Sequence, residues 1–161
     1  MEPKIVYGLR HHILKKDLNE GLIDMVFKEA MNSKEVGNNK YIQIPSNIKC
    51  IEFWAFCNCL SLTSIIIQNG ITTLDYAAFD NCTNLTSIII PSSVTHIKNN
   101  CFASCFNLKS IRIPKSVTRI DNKAFLLCVN LDSITIPRMF EPNISEIFNQ
   151  VNLSRVEIIY T

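Results

Sequence analysis

Apolar positions recur along this chain with a period of 23 residues. Ile44, Ile67, Ile90, Ile113 and Ile136 mark it without a slip, and three further ladders share the interval: Phe56, Phe79, Phe102 and Phe125; Cys59, Cys82, Cys105 and Cys128; Leu62, Leu85, Leu108 and Leu131. Coincident ladders define a repeat whose unit is too small to bury its own apolar face, so units must stack into one continuous core. The unit reads I-P-x-x-V-x-x-I-x-x-x-A-F-x-x-C-x-x-L-x-S-I-x. It is clearest from Ile90 to Arg112 and from Ile113 to Thr135, with earlier copies at Ile44 to Ile66 and Ile67 to Ile89.

Within Leu62-Thr63-Ser64-Ile65-Ile66-Ile67 and its equivalents the apolar residues alternate, which predicts a short strand with one face inward. Pro45, Pro91, Pro114 and Pro137 follow these strands. A proline has no N–H for the ladder, so each ends its strand and leads into a turn, at Ser92-Ser93 or Lys115-Ser116; Gln68-Asn69-Gly70 is the turn in the second unit. The return path carries Val94 and Ile97 and then an Ala-Phe pair. Identical positions stack at roughly 4.8 Å per rung, which predicts a spine of phenylalanine rings along the convex side.

A fifth copy begins at Ile136 and decays. Phe140 takes the valine slot, Phe148 keeps the phenylalanine register, Val151 takes the cysteine slot, and Leu153 arrives one residue early. This reads as a degenerate C-terminal cap from about residue 137, with Val156-Glu157-Ile158 as a last strand. Upstream of Ile42 the repeat is absent. Asp17-Leu18-Asn19-Glu20 has capping-box spacing, and Leu18, Leu22, Met25, Val26 and Ala30 follow at helical intervals, predicting an amphipathic helix from about Leu18 to Met31 that covers the open edge of the first strand, Tyr41 to Ile44. Ser33 to Asn39 is the linker. The chain thus reads as an N-terminal arm and capping helix, 1–40, joined to a solenoid, 41–161, as one structural domain.

The phrase A-F-x-x-C-x-x-L-x-S-I-x-I-P, carried by Ala78-Phe79, Cys82, Leu85, Ser87, Ile88, Ile90 and Pro91, resembles the BspA-like, or Treponema-type, class of leucine-rich repeats, over about Tyr41 to Ile136. The resemblance implies an α/β repeat fold: a curved right-handed leucine-rich-repeat solenoid with a short-strand parallel sheet on its concave face. It also implies protein binding, surface adhesion or scaffolding, without a family-wide catalytic site.

Composition narrows the function classes. Sixteen basic against fourteen acidic side chains leave a net charge of +2, too dispersed for the footprint that phosphate-backbone binding needs. Nucleic acid is therefore not expected as the main partner, although Lys109, Arg112, Lys115 and Arg119 cluster. No stretch approaches the roughly 20 apolar residues of a membrane span, and Met1-Glu2-Pro3-Lys4 lacks a signal-peptide layout, so the expected location is intracellular (cytoplasmic), with a cell surface or a virion as the alternatives.

Candidate chemistry is sparse. Zinc needs convergent thiolates, whereas Cys59, Cys82, Cys105 and Cys128 fall in line, one per rung, and read as buried structural thiols with Cys101 in the alanine slot. Of the seven cysteines, Cys50 and Cys57 are the expected exposed, reactive thiols. His96 shares its slot with Thr73 and Arg119 and reads as solvated. No nucleophile, base and orienting group assemble, and no phosphate-cradling loop or metal motif appears, so we expect no enzyme activity, no cofactor, no metal and no small-molecule substrate.

The outward strand positions carry the functional reading. Gln43, Ile66, Ile89, Arg112, Thr135 and Glu157 form one predicted column, and Tyr41, Ser64, Ser87, Ser110 and Ser133 a second. Ile66 and Ile89 beside Tyr41 and Arg112 would make an apolar patch. Either they reflect β-propensity or cover by the N-terminal segment, or the column of Tyr41, Gln43, Ile66, Ile89, Arg112, Thr135 and Glu157 binds protein. The first expectation is a noncatalytic protein-protein interaction module. The alternatives are a structural accessory subunit of a large assembly, such as a virus particle or ribonucleoprotein, and a surface adhesin.

Overall fold

The computed structural model describes the backbone of Tyr41–Gln43 and residues 50–161. The arm, the helix expected over Leu18 to Met31, its linker and the Pro45 turn lie outside the described residues. Three-residue strands β1 (Tyr41–Gln43), β3 (Ser64–Ile66), β5 (Ser87–Ile89) and β7 (Ser110–Arg112) alternate along the chain with two-residue strands β2 (Cys50–Ile51), β4 (Thr73–Leu74), β6 (His96–Ile97) and β8 (Arg119–Ile120). After β9 (Ser133–Ile136) come a 3-10 turn at Arg138–Asn143, the short helix α1 (Ile144–Ile147), a second 3-10 turn at Leu153–Arg155 and β10 (Glu157–Tyr160).

Every ladder is parallel, and successive rungs pair residue against residue: Ile42 with Ile65, Ile65 with Ile88, Ile111 with Ile134, and Ile134 with Ile158. The longer strands form two runs, β1-β3-β5 and β7-β9-β10. At the junction the backbone is joined by the Lys109 N–H to the Thr86 carbonyl at 3.3 Å. A second parallel sheet, β2-β4-β6-β8, runs along the return path. Sequence periodicity did not reveal it as strand, because pieces such as Thr73-Leu74 and His96-Ile97 are too short to show an alternation. Ile51, Leu74, Ile97 and Ile120 point from it into the core.

The predicted aromatic spine is present. Phe56, Phe79, Phe102, Phe125 and Phe148 are fully buried. Their rings stack at centroid separations of 5.2, 5.2, 5.1 and 4.7 Å with planes within 10° of parallel. Such separations exceed van der Waals contact, so the rings are slipped sideways, the offset arrangement that their quadrupoles favour. The alanine slot beside the spine is buried throughout, filled by Ala55, Ala78, Cys101, Ala124 and Ile147.

Two backbone positions per rung sit in the left-handed region: Trp54, Ala77, Asn100 and Lys123 in one series, and Asn58, Asn81, Ser104, Leu127 and Gln150 in the other, with φ between 51° and 63°. They turn the chain into and out of the Ala-Phe segment. Asparagine is the least penalised non-glycine residue there, which suits Asn58, Asn81 and Asn100 to these positions. Gly70, at φ 110°, makes the turn that replaces a proline turn. Its N–H donates to Ser93 Oγ of the next rung at 3.0 Å.

The fifth unit holds the 23-residue register through Phe148 and Val151 and loses it afterwards, since Glu157 pairs with Ser133, 24 positions earlier. The extra residue is taken up by the 3-10 turn at Leu153–Arg155. Glu157 therefore stands in the serine column. The earlier expectation that it continues the Ile66-Ile89 column is corrected: Ile159, opposite Thr135, occupies that place.

Candidate functional site

The outward face of the longer strands carries the candidate residues. Backbone register aligns Gln43, Ile66 and Ile89 across β1-β3-β5 and Arg112, Thr135 and Ile159 across β7-β9-β10; Tyr41 heads the neighbouring column with Ser64 and Ser87. Ile66 is 38 % exposed and Ile89 63 % exposed, while Ile65 and Ile88, between and behind them, are buried. One rung further, Arg112 is exposed and forms no ion pair among the described residues. Thr135 is half-buried, and Ile159 is 46 % exposed. The face is thus an apolar pair, a cation, a hydroxyl and a second apolar residue, flanked by serines. Ile159 escaped the sequence reading because the one-residue insertion before it displaced the count.

The opposite sheet presents a polar face. Lys98 Nζ reaches Asp75 at 2.9 Å on the preceding rung, while Asp121 accepts from Arg119 Nε at 2.9 Å and meets His96 Nε2 at 3.1 Å. Burial raises the Asp121 carboxyl, but hydrogen bonds and charge from His96 and Arg119 outweigh it and hold the group below the ordinary aspartate range. His96 is therefore a half-buried tie between rungs rather than a free solvated side chain. Asn84, Asn107 and Asn130 form another tie, each Nδ2 donating to a carbonyl of the preceding rung, Leu60, Thr83 and Phe106, at 2.7 to 2.8 Å. Their 23-residue spacing was the available signal. These ladders satisfy loop carbonyls and build no site.

The thiols also serve the stack. Cys82, Cys105 and Cys128 are buried, and each Sγ donates to the phenylalanine carbonyl of the preceding rung, Phe56, Phe79 and Phe102, at 3.1 to 3.3 Å. A small apolar residue with one weak donor suits that slot. Cys59, first of the ladder, is only half-buried, and interaction with the Cys82 thiol of the next rung lowers its pKa. Cys50 and Cys57 are also half-buried. Both were expected to be reactive, yet burial and nearby carboxylates raise them, Cys57 to about 11 with Asp80 beside it. Among the described residues, no three His, Cys, Asp or Glu side chains are grouped to hold a metal, and no helix is long and apolar enough to cross a membrane.

The comparisons with known proteins agree with this geometry. The pattern of the BspA type leucine rich repeat region matches residues 32–158 in six copies. A leucine rich cell surface protein from Faecalibacterium prausnitzii is 30 % identical, with a TM-score of 0.63 over 75 % of this chain and 32 % of that one. A leucine-rich repeat protein from Bacteroides ovatus is 22 % identical, with a TM-score of 0.64 over 80 % of this chain and 38 % of that one. The leucine rich repeat protein of T. pallidum is 24 % identical, with a TM-score of 0.50, over 62 % of this chain and 59 % of that one. The chain therefore spans less than two thirds of the length of these structures. No curated protein matches.

Proposed function

We propose, for a chain that belongs to the BspA-type leucine-rich repeat family, a noncatalytic role in which the outward face of the longer strands recognises another protein. One observation carries this reading: Ile66 and Ile89, adjacent in register, leave apolar surface in water at 38 % and 63 % exposure on a rigid sheet. Contiguous exposed apolar surface is what interaction faces retain and ordinary surfaces avoid. Arg112 on the next rung adds the type of charged, hydrogen-bonding group enriched at interfaces. The complementary surface would offer an apolar side chain to the isoleucine pair and a carboxylate to the guanidinium. Tyr41 and Gln43 head the two columns by backbone register.

The test is partner capture with crosslinking from the native source, comparing the wild type with a double variant, Ile66→Asp and Ile89→Asp. Both side chains point away from the core, so circular dichroism should be unchanged while capture is lost. Capture that survives the double variant rules the face out.

A second reading, a binding protein displayed on a cell surface, is favoured by the description of the 30 % identical structure as a cell surface protein. It competes with the intracellular location expected from the sequence. Protease treatment of intact cells separates the two: a surface protein is degraded, and an internal one survives until lysis.

A further inference from the structure

The charge on the outward face changes within a single rung. From Thr63 to Asn69 and again from Thr86 to Ser92, the stretches that carry Ile66 and Ile89, no residue is ionisable. The next such stretch, Lys109 to Lys115, holds three cations. Lys109 stands just before β7, Arg112 in its outward slot and Lys115 in the turn after Pro114; all three are exposed, and none forms an ion pair among the described residues. One rung further, Asp132 takes the Lys109 slot and offsets part of that lysine's charge. At the other edge the Lys115 slot passes to Arg138, a cation shared with Glu141 at 3.3 Å. Arg112 and Lys115 are therefore the cations left unopposed.

We infer that this face takes an extended acidic segment of the partner protein, laid along the solenoid across the strands, with an apolar side chain over Ile66 and Ile89 and a carboxylate on Arg112 and Lys115. The inference rests on the protein-binding reading above and names the chemistry of the ligand. The backbone of β3 is paired on both sides, with β1 and with β5, so the segment is read through its side chains and not by strand addition.

Spacing sets the pattern that fits. Successive rungs stand roughly 4.8 Å apart, which puts Arg112 about 7.2 Å from the middle of the isoleucine pair, while side chains on one side of an extended peptide recur about every 6.8 Å. An apolar and an acidic residue two positions apart therefore reach both parts of the face together. The guanidinium offers parallel N–H donors to a carboxylate, and Lys115 adds a second positive charge at the same edge. A polyanion fits worse, because its charges recur along its whole length and would meet no cation over the rungs of Ile66 and Ile89.

A random-peptide display library panned on the immobilised full chain, with the Ile66→Asp and Ile89→Asp double variant as the subtraction control, tests this. Peptides retained by the wild type alone should share an aliphatic or aromatic residue two positions from an aspartate or glutamate. A synthetic peptide of the enriched sequence should bind Arg112→Ala about fivefold more weakly, the worth of one exposed ion pair. Panning on Arg112→Glu should exchange the acidic residue for lysine or arginine at the same position, with circular dichroism unchanged in both variants. Enriched peptides that depend on the isoleucines but lack an acid at that spacing, or that keep it on Arg112→Glu, overturn the inference and leave the proposed face standing. So do sequences that are acidic throughout with no apolar residue, which would mark a polyanion site. A library that yields no peptide dependent on Ile66 and Ile89 overturns both.

Discussion

Replacing Phe102 by alanine tests the stacked core at its centre. The ring is fully buried and lies between Phe79, at 5.2 Å and 2°, and Phe125, at 5.1 Å and 10°. Truncation of a buried phenylalanine removes its transfer free energy and leaves a cavity, together about 3–5 kcal/mol. The neighbouring rungs limit collapse into the gap, because Phe102 N–H donates to the Ala124 carbonyl at 2.8 Å and the Phe102 carbonyl accepts from Cys128 Sγ at 3.1 Å. We therefore expect a loss in the upper half of that range. Phe102→Leu refills most of the volume while removing two stacked pairs, each worth about 0.5–1.5 kcal/mol beyond burial, so it should cost about 1–3 kcal/mol. Urea denaturation followed by circular dichroism, with the midpoint and slope fitted together, measures both. A loss below about 1 kcal/mol for the alanine variant, or equal losses for alanine and leucine, would refute the reasoning that stacked rings carry the core.

Two other outcomes follow from the polar groups. Asp121 has a depressed pKa in the folded state, so the stability it contributes is full above the aspartate value of an unfolded chain, about 3.9, and is lost as pH falls through the lower folded value. Asp121→Asn should flatten that acid limb of the stability curve, and an unaltered acid limb would show that the pairing with His96 and Arg119 is not formed in solution. For the thiols, alkylation of the native protein at neutral pH should reach Cys59 before Cys57; Cys57, with its pKa near 11, should speed up by about tenfold per pH unit between pH 8 and 10 as its thiolate forms. Peptide mapping that finds Cys105 or Cys128 modified under native conditions would contradict their burial.

Much of the fold was legible because a repeat states each packing requirement several times. The phenylalanine and leucine ladders, the short strands and the proline turns could all be read from spacing, since identical slots must stack, while the parallel sheet was implied by the family resemblance. The second sheet was not, because Cys50-Ile51 or Arg119-Ile120 gives one inward residue and no alternation to detect. The last strand was misplaced by one step at Glu157, since a 3-10 turn absorbs an insertion whose site no periodicity can show. Reactivity at Cys50 and Cys57 was inferred from their slots alone. Their raised pKa values come first from burial and then from Asp75 and Asp80, contributed by the next rung and invisible to a slot-by-slot comparison. The candidate face was readable as a column of outward residues, but its most exposed apolar member, Ile89, could be ranked above Ile66 only once the neighbouring side chains were in place.

One slot of the longer strands accepts glutamine, isoleucine, arginine and threonine in turn, as Gln43, Ile66, Ile89, Arg112 and Thr135, while the same strand pairing continues on either side. The neighbouring inward slot holds isoleucine on every rung from Ile65 to Ile158. Structural obligation and chemical message are thereby written on alternate letters of the same strand. Single substitutions in the outward slot therefore change the chemistry of this face without disturbing the strand pairing, and duplicating a unit lengthens it by one rung.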